Sequence, residues 1–246
     1  MLSPSRSPGK IANIWAPPIK TERDMVIRHP LSRVFKGHTI ASAVRFYSKS
    51  SIPPIMNADV RRVVDFWFNR PPIEWIIAPE GLDAQIKSEF GQLVLKARNN
   101  ELDDWTAEPE GSVALVALLD QFSRNMFRGS PDAFSADGKA WDIATKAIAR
   151  EFDSKVTVIQ ATALYMALMQ QESLISLIAA RQLFKALKPR CATEEEHKWV
   201  DMGVAASKRH MQQLEQFGRY PTRNALLGRK STEAEEEFLK GHAPSL

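Results

Sequence analysis

From Asn57 onward the apolar residues of this chain recur at helical spacing, and no stretch sustains the alternation that a half-buried strand needs. Val60, Val63, Val64, Trp67 and Phe68 fall at i, i+3, i+4, i+7 and i+8 behind a cap at Asn57 or Asp59. Pro71-Pro72 ends that helix. Leu82, Ile86, Phe90, Leu93, Val94 and Ala97 mark a second, ending near Asn99-Asn100, and Glu108-Pro109 opens a third that carries Val113, Val116, Ala117 and Phe122. Residues 134–151 form a fourth, with Trp141, Ala144, Ile148 and Phe152 inward. Residues 156–169 and 173–187 give two more, joined around Gln170-Gln171-Glu172. Thr193, with Glu196 three residues on, caps a helix running to Phe217, and a last short helix follows Ser231-Thr232 with acids at its positive end.

Val156-Thr157-Val158-Ile159 is the best strand candidate, but Gln160-Ala161-Thr162-Ala163-Leu164 continues it as helix. The expected fold is therefore all-α: about eight helices packed as antiparallel hairpins through short connections. No strict fixed-period repeat accompanies this stack of helix pairs. Trp67, Trp75, Trp105, Trp141 and Trp199 are read as core between the helices.

Charge divides the chain. Residues 1–47 hold eight basic residues against Glu22 and Asp24, which leaves the rest of the chain slightly acidic at −2. A slightly acidic globular part argues against nucleic acid as the main partner, because phosphate recognition needs a basic face. No apolar run approaches the roughly 20 residues that span a bilayer. Cys191 is the sole cysteine, so no intrachain disulfide and no cysteine metal cluster is expected.

Residues 1–52 read as a basic leader and linker, and residues 53–246 as a single helical domain. From Met25 to Ser51 there is no acid, while Arg28, Arg33, Lys36, Arg45 and Lys49 are basic and serines are frequent. Leu31, Val34, Phe35 and His38 share one helical face there. That is the composition of a mitochondrial transit peptide, with Arg45-Phe46-Tyr47-Ser48 as a processing site and the matrix as the address. Translation starting at Met25 would place both acids outside this segment. A basic tail on a cytoplasmic protein is the alternative.

Two segments carry the candidate chemistry. Asp120-Gln121-Phe122-Ser123-Arg124-Asn125-Met126-Phe127-Arg128-Gly129 and Phe217-Gly218-Arg219-Tyr220-Pro221-Thr222-Arg223-Asn224-Ala225-Leu226-Leu227-Gly228-Arg229 each set an Arg-Asn pair beside a turn-forming residue. A second arginine and a glycine lie within a few positions of each pair. Guanidinium groups stay charged and present a planar fork suited to carboxylate or phosphate. Arg124, Arg128, Arg219, Arg223 and Arg229 are thus candidate anion ligands, with Asn125 and Asn224 adding neutral donors and Asp120 and Glu172 holding the arginines. The competing reading is that these groups satisfy one another and nearby helix ends. For the ligand reading to survive, the two segments must meet in space.

His210 is the histidine nearest these segments, either a general base titrating near neutral pH or a partly buried structural group. Glu194 and His197 have the Glu-x-x-His spacing of carboxylate-bridged metal sites, but the second motif such sites need is missing, so no metal is expected. No phosphate loop, dinucleotide glycine pattern or serine elbow occurs, and no cofactor is indicated.

Together with Val64-Asp65-Phe66-Trp67-Phe68, the two segments resemble the domain of unknown function 924 family, in order and spacing, over roughly residues 58–240. The resemblance implies a tetratricopeptide-like helical array and no established activity. Where the family usually reads Tyr-Leu-Pro-Leu-Met-His-Ser-Glu-Asp, this chain has Tyr165-Met166-Ala167-Leu168-Met169-Gln170-Gln171-Glu172-Ser173. The histidine is replaced by Gln170 and the glutamate kept as Glu172. Ser123 and Thr222 likewise replace a usual proline and a common histidine. Three classes follow: a binding protein for an anionic small molecule or acidic peptide, an enzyme on a carboxylated or phosphorylated substrate, or a protein scaffold. An enzyme calls for a closed pocket joining the two segments over an ionised carboxylate. A scaffold calls for an open groove with exposed apolar anchors.

Overall fold

The computed structural model describes residues 56–241, and the leader expectations lie outside them. The described residues are all helix and connecting turn, with no strand. Helices α1 (Ala58–Phe68), α2 (Leu82–Arg98), α3 (Pro109–Val116), α4 (Ser123–Met126), α5 (Asp137–Ala149), α6 (Val158–Met169), α7 (Leu174–Leu187), α8 (Glu194–Phe217) and α9 (Glu233–Lys240) follow in order. A π-helical stretch, Ala117–Phe122, joins α3 to α4, so residues 109–126 run as one rod and the count is the expected eight.

The caps follow from the residues that precede each helix. Asn57 accepts from Asp59 N–H, and Ser173 from Ser176 N–H. Thr157, Thr193 and Thr232 each form a reciprocal capping box, with Gln160, Glu196 and Glu235 respectively. Gly218 ends α8 in the left-handed region at φ 71°, which an L side chain enters only at a steric cost.

Packing is mostly between neighbours in sequence: α5 on α6, α6 on α7, and most extensively α7 on α8. The rod of residues 109–126 departs from a simple stack. It touches α1, α2, α5 and α6, and every residue from Gly111 to Ser123 is buried. A helix apolar on all sides has to be enclosed, and this one is the axis of the core. Gly111 is there because a Cβ would collide with the Trp105 carbonyl. Trp67, Phe90 and Phe122 close the core at one end, the Trp67 and Phe122 rings edge to face at 5.0 Å.

The architecture places both signature segments at rod and helix ends. Asp120 lies in the π turn and Arg124 one turn on, while the second segment begins where α8 stops. A π turn inside an α-helix widens the coil locally and re-aims the side chains after it. Here Ser123 Oγ donates back to Leu118 O across the widened turn at 3.2 Å.

Candidate functional site

The two segments meet, and the group that joins them is Asp137, the first residue of α5. Arg124 Nη2 lies 3.0 Å from Asp137 Oδ1 and donates to Oδ2 at 3.1 Å. Arg223 Nη1 donates to the same Oδ2 at 3.0 Å. Arg124 also pairs with Asp120, one turn back, at 2.6 Å. Asp120 is wholly buried and Arg223 7% exposed, so two carboxylates and two guanidiniums share a site nearly closed to water. Burial and the neighbouring Asp120 charge push the Asp137 carboxyl up, against the pull of the two arginines, and burial likewise lowers Arg223. Arg223 is further held between the rings of Phe134 and Tyr220, at 4.7 and 5.1 Å from their centres.

The remaining candidates each hold a separate piece of backbone. Arg128 forks onto Asp83 of α2 at 2.5 and 3.0 Å, where Asn125 also donates at 2.8 Å. Those hydrogen bonds hold Asp83 below the usual carboxylate range. Arg219 forks onto buried Glu235 at 2.7 Å on both arms and holds its carboxyl at about 2. Arg229 forks onto Glu172, in the turn between α6 and α7, at 2.8 and 2.9 Å. Glu172 also accepts from Tyr220 N–H at 2.8 Å. Burial alone would raise Glu172, but the Arg229 and Tyr220 hydrogen bonds outweigh it and keep the carboxyl ionised. Asn224 donates to Ser231 Oγ at 3.0 Å.

Thus the structure brings Asp120, Arg124, Glu172, Arg223 and Arg229 to one region, whereas Asn125 and Arg128 face α2 and Arg219 faces α9. Sequence reading missed Asp137, Asp83 and Glu235 as the partners. Their only signal was position near a helix start, which is also where an unremarkable carboxylate sits.

An open cleft of about 600 Å³ lies over the joined segments, lined by Asp132, Asp137, Gln170, Gln171, Glu172 and Arg223 among others. Gln170 Oε1 accepts from Arg223 Nη2 at 2.8 Å, so the residue in the family histidine's place is the neutral partner of the central arginine. His210 is not in this cleft. It lines a second pocket on the far side of Gln170, its ring 5.1 Å from Tyr220, and its buried Nδ1 has no hydrogen-bond partner among the described residues.

Residues 63–243 match the family described as bacterial protein of unknown function, DUF924. The chain belongs to that family. The solved structure of the protein of unknown function ATU0120 from Agrobacterium tumefaciens is similar at 29% identity with a TM-score of 0.67. The similarity covers 75% of this chain and 98% of that one. Among curated proteins, none matches. In this DUF924 member the paired arginines and carboxylates tie α2, α5, the α6–α7 turn, α8 and α9 to one another, a fold role that a ligand reading has to accommodate.

Asp137→Asn leaves Arg124 and Arg223 facing each other without their shared anion. Such a variant is expected to lose about 3–5 kcal/mol of stability in urea unfolding. An exposed pair such as Arg62–Asp59 sets the contrast, since Asp59→Asn is expected to cost no more than about 1 kcal/mol.

Burial, then the charges of Arg223 and Arg209, lower the His210 imidazole to about 4. The unfolded chain, with an ordinary histidine near 6.5, takes up the proton first, so this contribution to stability is present above that value and lost as pH falls towards 4. Between pH 7 and pH 5 the parent should lose about 2 kcal/mol more than His210→Gln, read from unfolding curves at both values. Equal losses in the two proteins would show that His210 is protonated freely in the fold.

Proposed function

We propose that this DUF924 protein binds a small anionic molecule in the cleft over its joined signature segments, and that it holds this ligand rather than transforming it. The observation that carries the reading is the contact between Arg223 and Gln170. Of the acceptors on Arg223, Asp137 is a carboxylate and Gln170 a neutral amide that lines the cleft. Arg223 is cationic, so a ligand carboxylate or phosphate on Nη2 adds the attraction of opposite charges to the hydrogen bond that the neutral amide already makes, and can replace the amide there. Binding then costs one amide contact and leaves the Asp137 pairs intact.

The catalytic alternative finds less support in the same geometry. Glu172, the acid or base it would use, is fixed by three donors that favour its ionised form. Asp137 is flanked by two guanidiniums, and the cleft stands open to water. A general acid or base needs a free proton position within reach of substrate, which Glu172 does not offer; Asp137 Oδ1 accepts no hydrogen bond, but it is buried and lies 3.0 Å from the Arg124 guanidinium. A protein scaffold would use large exposed apolar anchors, and of the residues lining the cleft Leu227 and Pro131 are the exposed apolar ones.

A panel of mono- and dicarboxylates and inorganic phosphate, screened by thermal shift on the full chain, tests this. A ligand at a hundred times its Kd adds about 2.7 kcal/mol and raises Tm by several degrees. Gln170→Glu supplies Arg223 with a resident carboxylate and should abolish the response while keeping the fold. A panel that moves neither protein, or both alike, would reject the cleft as an anion site.

The leader composition supports the mitochondrial matrix as the place where this binding occurs. N-terminal sequencing of the endogenous protein should find a mature start close to Ser48, and a start far from it would count against import.

A further inference from the structure

The pocket beyond Gln170 differs from the cleft in every respect that matters for recognition. It encloses about 290 Å³ between α6, α7 and α8, at the small end of ligand sites. Its walls are Met166, Met169, Phe184, Trp199 and Met202, with Ile76 beside them. Three methionines make the lining adaptable in shape. Gly203 completes one wall, because a Cβ there would collide with the Phe184 ring. At the mouth Ile76 and Met202 remain 47% and 43% exposed, more apolar surface than the fold itself requires to be in water.

The polar groups at this pocket are Arg209, His210 and Gln170. Every arginine of the signature segments is matched by a carboxylate, but Arg209 has neither a carboxylate at ion-pair distance nor a hydrogen-bond acceptor among the described residues. Next to it His210 keeps a buried Nδ1 without a partner. A buried polar atom left unpaired costs free energy that a bound group can recover. The pocket therefore combines an apolar interior, an unneutralised guanidinium and an unsatisfied ring nitrogen.

We propose that this pocket is a second ligand site, for an amphipathic monoanion whose aliphatic or aryl part lies between the methionines and Trp199 and whose carboxylate sits on Arg209. Charge complementarity chooses this occupant: an alkyl ammonium would meet Arg209 with like charge, and a neutral chain would leave it unmatched. His210 Nδ1 supplies a second polar contact at the head of the ligand. The small volume restricts the occupant to a single short chain or one ring. The proposal rests on Arg209, Trp199 and the methionines, none of which lines the cleft, although Gln170 borders both cavities.

Isothermal titration of the full chain with octanoate, octan-1-ol and octylamine provides the test. Octanoate should bind saturably with one site, octan-1-ol about tenfold more weakly, and octylamine not at all. Arg209 is exposed, so Arg209→Gln keeps the fold, and it should reduce octanoate to the affinity of octan-1-ol while leaving octan-1-ol unchanged. Ala206→Glu, placing an acid in the lining, should weaken octanoate further. Octanoate binding untouched by Arg209→Gln, octylamine binding as well as octanoate, or no saturable binding would each overturn the proposal, and each leaves the anion response of the cleft to be judged on its own panel.

Discussion

Asp137 is a single buried carboxylate answering two guanidiniums that the chain supplies from 13 and 86 residues away. Taking any of these charges out of water costs several kcal/mol, so each is tolerable only where the others already are. That makes the arrangement conditional on the whole fold. The rod must present Arg124 from its widened end, α5 must begin where it does, and α8 must stop at Gly218 so that Arg223 can turn back. A core of interchangeable apolar contacts would allow these helices to slide by a fraction of a turn. A charge cluster with fixed hydrogen-bond directions does not.

The same pairing decides which arginines remain for anything else. Arg128, Arg219 and Arg229 each meet a carboxylate through two arms, a geometry that satisfies both planar groups at once. An incoming anion has to displace a resident carboxylate there and gains little from it. Among the signature arginines the exception is Arg223, whose second arm rests on an amide, and outside them Arg209 lines the apolar pocket with no ion-pair partner among the described residues. A count of arginines in the sequence therefore overstates the charge on offer, since most of those in the signature segments are already answered by a carboxylate.

The helices were legible because their signals are local. Apolar spacing from Val60 to Phe68, the Thr193–Glu196 capping box and the proline and glycine stops all act within a few residues, where sequence order and spatial order agree. The enclosure of the rod was half legible: the run from Val113 to Phe122 is rich enough in apolar residues to be buried on all sides, but nothing in it names the four helices that surround it. The site was least legible. Asp137 is joined to Arg223 across 86 residues and Asp83 to Arg128 across 45, and no periodic pattern specifies a contact at such separation. The signature segments pointed to the arginines and not to the carboxylates they meet. His210 was placed by sequence with the arginines, yet the helix carrying it turns its ring to the opposite side of Gln170.

Gln170 is where the two cavities come closest to one another, since it lines both. Its carbonyl oxygen faces Arg223 and its chain borders the methionine-lined space beside His210. A ligand anion that takes its place on Arg223 frees this side chain to move. On one side of it lies the open cleft and on the other the apolar pocket, whose lining includes His210 with its unpartnered Nδ1. Movement into the pocket would shrink the space for an apolar occupant, and a bound occupant would in turn hold Gln170 against Arg223. The two sites would then oppose each other through one side chain, and by thermodynamic linkage the effect must be equal in both directions. A histidine in that position would be stiffer and could itself carry charge. The glutamine makes the wall between the cavities neutral, flexible and exchangeable.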